Sequence, residues 1–357
     1  LTVATNVFEG ALVPVAIDGA NLPNGVVINT TNMRGLESQG MFCSGQELQI
    51  NNDVYDGAEI DGIMILHEDY ALGTPIAKVI GFDDVVLDLE IPKQRIDCNS
   101  VYGLAREISV LFNRELNTIK LDYNELQDET SNYINVDVDT DRCLKFYAFL
   151  VKDVRVCESS KDIKSRLNVI GVKPMNNIVD LANYVMIEVG QPFETIDYNK
   201  ITGDTLQVRN ARKNEEIFAS NMSEYLLDTT DTVVADNSGV LSLGGMVDCF
   251  RCGVNSKTSN LILGAGNYKS KDILNTDLRL DVNSMASKLC GFGVPSSSCL
   301  IGLKRVLHFI DKFNYGKICK NFVSEELVKE NQNTTSISLD YINNIIGANY
   351  STDDITN

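Results

Sequence analysis

At 357 residues the chain exceeds one ordinary core, so two or three domains are expected. Hydrophobic content of 44% with seven prolines excludes global disorder, and no apolar run approaches the roughly 20 residues needed to cross a bilayer. The net charge of −18 argues against a chain that grips nucleic acid over its whole surface, while leaving room for a local basic face.

In chain order, residues 1–68 read as β structure with tight turns. Short apolar runs at 11–17, 25–28 and 62–66 stand between Gly, Asn and Pro punctuation, the pattern of part of a small barrel. Next, Val85, Leu87, Leu89 and Ile91 alternate with Val86, Asp88 and Glu90, which predicts a half-buried strand ended by Pro92. Asn99 or Ser100 then caps a helix to about Leu116, with Leu104, Ile108, Leu111 and Phe112 turned inward. Arg95 and Asp97 form a pairing just ahead of it, the acid favoured by the helix dipole. Residues 117–142 are polar and irregular, the composition of a connection.

A strand over 144–156 leads into two helices. Ser160 caps the first, Ile163, Leu167 and Ile170 form its stripe, and Gly171 ends it. In the second, over 176–189, Ile178, Leu181, Val185 and Val189 recur at helical spacing. Gly190 suits a left-handed cap there, and Pro192 prevents continuation. Residues 205–263 are mostly β, with strands at 206–209, 225–227, 233–235, 240–243 and 261–263. Helical stretches follow at 270–273 and 299–310. A loop at 331–335 opens a last small unit from Ile337, and Ser351 reads as the cap of a helix that the chain does not supply. The start at Leu1 and the stop at STDDITN read as a segment of a longer polypeptide.

Several constellations have bland readings that win. Cys249 and Cys252 make a lone CxxC without a second pair, so unpaired thiols are expected rather than zinc. Asp137, Asp139 and Asp141 imitate a calcium loop, but its sixth position is Arg142 and its twelfth Ala148, which leaves a solvated acidic connector. His67 and His308, the two histidines, have no nucleophile motif beside them and are assigned structural roles. No phosphate-binding glycine loop is present. Nine cysteines without a secretory signal fit a reducing, cytoplasmic setting.

Four phrases occur in order: MRGLESQGMFCS (33–44), DDVVLDLEIPKQRIDCNSVYGLAREI (83–108), KPMNNIVDLANYVMIEVGQP (173–192) and ISLDYINNIIG (337–347). Together they resemble the β chain of bacterial-type phenylalanyl-tRNA synthetases, over essentially all 357 residues. The resemblance implies an α+β multidomain segment. Residues 1–68 would be the later part of an OB-like tRNA-binding barrel, and 69–142 the second half of the interrupted N-terminal domain, a small α/β domain, plus a connector. Residues 143–330 would be a larger mixed α/β editing module of the B3/B4 type, and 331–357 the start of the next, B5-like domain. It further implies an α2β2 heterotetramer with the α subunit and tRNA as partners, and no membrane. ATP and magnesium would serve the complex outside this segment, which would bind no cofactor or metal and hold no catalytic residue of the synthetic reaction.

The family's editing pocket uses a Thr-Asn pair in the long helix, a histidine in the Gln-Pro-x-His turn, a small-residue loop and a glutamate on a following strand. Aligned by motif, these positions hold Ala182 and Asn183, then Glu194, then Gly244 and Gly245 with Asp248, and finally Gly264. The resemblance therefore implies a degenerate pocket, with extra carboxylates facing an incoming tRNA end and tyrosyl-tRNA editing weak or lost. Arg34, Glu37 and Ser38 are weak candidates for tRNA-related surface, with a turn and a surface ion pair as the stronger reading. Two rivals stay open: a free-standing tRNA-binding or trans-editing protein built on the same modules, and a module that binds only protein partners.

Overall fold

A computed structural model of the chain, describing residues 2, 4–52, 54–67, 69–83, 85–327 and 334–356, shows a mixed α/β protein. Turn chemistry dominates its first part. Strand β1 (Val15–Ile17) pairs antiparallel with β4 (Gly40–Phe42), and β2 (Thr31–Met33) with β3 (Leu36–Ser38). Arg34 and Gly35 join the second pair with φ of 53° and 85°, the double positive φ of a two-residue hairpin turn. These three-residue strands form two separate two-stranded sheets, not the expected part of a barrel. Too few consecutive apolar positions alternate here to extend a ladder, so small clusters around Cys43 and Met64 do the packing instead.

Beyond a short helix α1 (Ile76–Val79), the expected strand at 85–91 does not form. It meets no partner strand among the described residues, and Val85 and Leu87 are 79% and 75% exposed. Helix α2 (Val101–Leu111) starts where expected, with Ser100 Oγ accepting from the Gly103 amide at 3.0 Å. It stops at Leu111, short of 116, and Ile108, Leu111 and Phe112 face outward. Its packed side is set by Gly103, where a Cβ would lie 1.7 Å from the Asp97 carbonyl. Asp97 also receives both ends of Arg95, which reaches Glu107 as well.

Residues 117–142, expected to be a connection, contribute two strands instead: β5 (Glu125–Glu129) and β6 (Asn135–Asp139). Both are edge strands whose outward polar residues hid the pattern; Asp137 and Asp139 point to solvent from β6. The long strand β7 (Cys143–Lys152) follows, then helices α3 (Lys161–Val169) and α4 (Asn177–Val189). Asn176 Oδ1 caps α4 by accepting from Ile178 and Val179, and Gly190 closes it at φ 78°. Next come β8 (Glu194–Asp197), β9 (Thr205–Asn210), β10 (Glu216–Phe218), β11 (Glu224–Leu226), β12 (Thr232–Asp236), β13 (Gly239–Leu243), β14 (Val247–Asp248) and β15 (Leu261–Tyr268). Helices α5 (Ser270–Leu280), α6 (Met285–Phe292) and α7 (Ser298–Lys312) precede β16 (Lys317–Lys320) and β17 (Val323–Glu326).

Two sheets face each other: one ordered β14-β13-β12-β9-β6, the other β5-β16-β7-β15-β8 with β17 also on β7. The two-residue period of β7 serves both its faces. Phe146, Ala148 and Leu150 fill the core between the sheets, while Tyr147, Phe149 and Val151 pack toward α3, α4 and α7. Leu181 and Val185 of α4 meet Leu303 and Leu307 of α7 in that second core. Arg305 of α7 clamps Glu188 of α4 through Nε at 2.6 Å and Nη2 at 2.7 Å. Part of the 331–335 loop lies outside the described residues; after it, α8 (Leu339–Ile346) and α9 (Thr352–Thr356) form, so Ser351 does cap a helix. No helix among the described residues is long and apolar enough to cross a membrane.

Candidate functional site

A cleft of about 680 Å³ opens where the end of α4, the turn into β8, the β13–β14 hairpin and the start of α6 converge. Helix α4 presents Ala182 and half-buried Asn183 to it, about two turns before its glycine cap. Pro192 then forces the chain out of the helix and into β8, which places Glu194 and Thr195 in the cleft wall. Opposite them, the hairpin turn supplies Gly245 at φ 68°, and β14 supplies Asp248. Ser284 fixes the mouth: its Oγ donates to the Met246 carbonyl at 2.8 Å and accepts from the Ser287 amide, capping α6. Lys173 and Lys288 border the opening.

The two carboxyl groups differ from free surface acids. Glu194 is 2% exposed and turns inward: Oε1 accepts from the Tyr268 hydroxyl at 2.8 Å and from the Gly245 amide at 3.3 Å, while buried Oε2 has no hydrogen-bond partner. Burial pushes its pKa up to about 7, against the lowering pull of those two donors. Asp248 Oδ2 accepts from both the amide and the hydroxyl of Thr195 at 3.2 Å. Its pKa is likewise raised to about 7, first by burial and then by the Glu194 charge. Asp248 keeps some solvent contact, so Glu194 is the more firmly enclosed of the pair. At neutral pH the two together carry less negative charge than two ordinary carboxylates.

Five of the seven motif-aligned positions, Ala182, Asn183, Glu194, Gly245 and Asp248, therefore line one cleft. Gly244 and Gly264 sit behind its wall. A Cβ on Gly264 would come 3.0 Å from Phe146 Cζ, so this glycine makes room for the Phe146 ring, and it would only touch Glu194 Oε2, at 3.5 Å. The sequence reading missed Tyr268, Thr195 and the α6 cap. A signal for Tyr268 was present in Gly264-Ala265-Gly266-Asn267-Tyr268, two glycines and an aromatic spaced by two along one strand.

The remaining candidates lie elsewhere. Arg34 stands at the exposed tip of the β2–β3 hairpin, and Glu37 accepts from Gln39 at 2.7 Å instead of pairing with Arg34. Ser38 Oγ donates to the Gly40 carbonyl. Cys252 Sγ reaches the carbonyls of Leu241 and Cys249, and no cluster of metal-ligating side chains occurs among the described residues. His308 Nδ1 lies 2.7 Å from the Asp122 carbonyl, and His67 stacks on Tyr55.

Residues 142–315 match the B3/4 domain family. Over 99% of its length the chain is 30% identical to the phenylalanine–tRNA ligase beta subunit of Clostridium acetobutylicum, covering 44% of that relative. Over 90% of its length it is 33% identical to the corresponding subunit of Symbiobacterium thermophilum, covering 36% of it. The chain thus spans less than half the length of these curated relatives. Among solved structures, an N-terminal fragment of the phenylalanyl-tRNA synthetase beta subunit from Pyrococcus horikoshii covers 74% of this chain and 72% of its own, at 17% identity and a TM-score of 0.34.

Proposed function

We propose that this chain, similar along nearly its full length to phenylalanine–tRNA ligase beta subunits and matching the B3/4 domain family over residues 142–315, is the architectural, tRNA-contacting part of such a ligase. In this reading it assembles with an α subunit as α2β2. The α subunit activates phenylalanine with ATP and magnesium and transfers it to tRNA. The observation that carries the reading is the similarity maintained over 99% of the chain.

We further propose that its B3/4 cleft hydrolyses tyrosyl-tRNA weakly or not at all. A second sieve is useful to such enzymes because an apolar pocket that accepts a phenyl ring rejects one extra hydroxyl only weakly. Discharging the wrong amino acid requires an acceptor for that hydroxyl and polar groups that orient water at the ester. Here Ala182 offers no hydroxyl, and Gly264 offers no acceptor. The one deeply placed acid, Glu194, already accepts from Tyr268 and Gly245 through Oε1, and its unpartnered Oε2 is enclosed on the Gly264 side instead of standing open to the cleft. A tyrosyl hydroxyl buried without an acceptor loses about 1–3 kcal/mol. The test is deacylation of tyrosyl-tRNA by the complete ligase purified with its α subunit. Background-level hydrolysis is expected; robust turnover sinks the loss of editing, and failure to co-purify with an α subunit sinks the assembly.

A further inference from the structure

Tyr268 lies in a slot shaped by the absence of three side chains. Its ring folds back along its own strand, over Gly266 and toward Glu194, on the face of β15 that meets the core between the sheets. A Cβ on Gly266 would lie 2.5 Å from the Tyr268 Cζ and 2.6 Å from its hydroxyl oxygen. On Gly245 it would lie 2.9 Å from Cδ2 and Cε2, and on Gly244 2.8 Å from Cε1. In each case the nearest atom belongs to the Tyr268 ring, so alanine fits at none of the three without displacing it. The fourth side is polar: Glu194 Oε1 accepts the hydroxyl at 2.8 Å. The slot is a built receptor for a para-hydroxyphenyl group, with a flat glycine cradle for the ring and one acceptor at its far end.

This slot adjoins the cleft. Glu194 and Gly245 line the cleft and also touch Tyr268, so they form the partition between the two spaces. We propose that Tyr268 is a specificity-determining plug: it fills a phenol-binding slot in cis and thereby closes the back of the cleft to any aromatic side chain offered from outside. The consequence for tyrosyl groups rests on reading the cleft as the aminoacyl site of the B3/4 domain; the slot itself does not.

The test uses the intact chain with Tyr268→Ala and the probes p-cresol and toluene. Removing the ring leaves an enclosed cavity with a carboxyl acceptor, and cavities of this kind bind small aromatics. By calorimetry, Tyr268→Ala is expected to bind p-cresol at least about tenfold more tightly than toluene, because only the cresol hydroxyl satisfies Glu194. The parent chain and Tyr268→Phe, which keep the ring in place, are expected to bind neither. If Tyr268→Ala does not fold alone, p-cresol added during refolding is expected to restore its near-ultraviolet circular dichroism, and toluene is not. The proposal is overturned if p-cresol neither binds nor rescues, if toluene does equally well, or if the parent binds p-cresol. Absence of cresol binding would leave the functional reading standing, whereas a parent ligase that hydrolyses tyrosyl-tRNA would leave the cresol result standing.

Discussion

Glu194 has one carboxyl oxygen held by Tyr268 and Gly245 and the other buried without a partner, an arrangement that favours its neutral form. Its pKa rises from 4.5 to about 7 on folding. The folded state therefore holds a proton that the unfolded state releases between those values, and stability falls as pH rises through that window. Below pH 4.5 both states are protonated and the contribution is fully present; above about pH 7 it is lost. Glu194→Gln removes the titration while keeping an acceptor for Tyr268. Urea unfolding at pH 5 and pH 7.5 should show the parent losing on the order of 2 kcal/mol more than the variant across that interval. Equal losses would mean that Glu194 does not hold its proton. The turn from Gly190 to Glu194 was legible in the sequence because caps and prolines act locally. The Tyr268 plug left only the Gly264-to-Tyr268 spacing as a trace, because its ring reaches back over Gly266, and periodicity counts a glycine as a gap and cannot give a side chain's direction.

Helices α4 and α7 were legible as apolar helical stretches, and β7 and the first three residues of β15 as apolar runs, since all four are enclosed by the two large cores. Elements on the rim were not. Strands β5 and β6 alternate mostly polar residues and earn their pairing from β16 and β9, which lie far along the chain. Conversely, the clean alternation at 85–91 joins no sheet among the described residues, because a strand is a property of two segments. Gly190 shows how closely elements are coupled where they do meet. It closes α4 at φ 78°, and a Cβ there would lie 3.2 Å from Ser100 Cβ and 3.3 Å from the Asn99 carbonyl, at the start of α2. Gly190→Ala thus strains a left-handed residue and presses two helix ends apart. A loss of roughly 1–3 kcal/mol is expected in urea titration. A change below about 0.5 kcal/mol, the range of ordinary surface substitutions, would show that α2 does not dock against the α4 cap.

At the scale of the whole chain, burial is uneven. Two large cores sit between the facing sheets and under α3, α4 and α7, whereas the segment before α2 is packed around two small clusters. Between them lies a stretch that combines no regular structure with exposed apolar side chains: Phe82 is 42% exposed, Leu87 75% and Leu89 51%. Leu72 on one side and Phe112 on the other are 90% and 69% exposed. Protease attack needs an extended, accessible backbone, and the free energy of opening it rises with the contacts that must be broken. Chymotrypsin at low dose should therefore cut first between Leu72 and Phe112, and the early product should retain residues 123–327 uncut. Mass spectrometry of the first fragments decides it. A first cut inside 143–320 would place the weakest point within the paired sheets, and the account of two unequal packing units would fail. The same unevenness bears on the cleft, because every residue of the Glu194–Tyr268 arrangement belongs to the large unit. Cleavage in the 72–112 region should accordingly leave the p-cresol response of Tyr268→Ala intact, and its loss on cleavage would show that the α2–α4 contact at Gly190 holds the β8 turn in place.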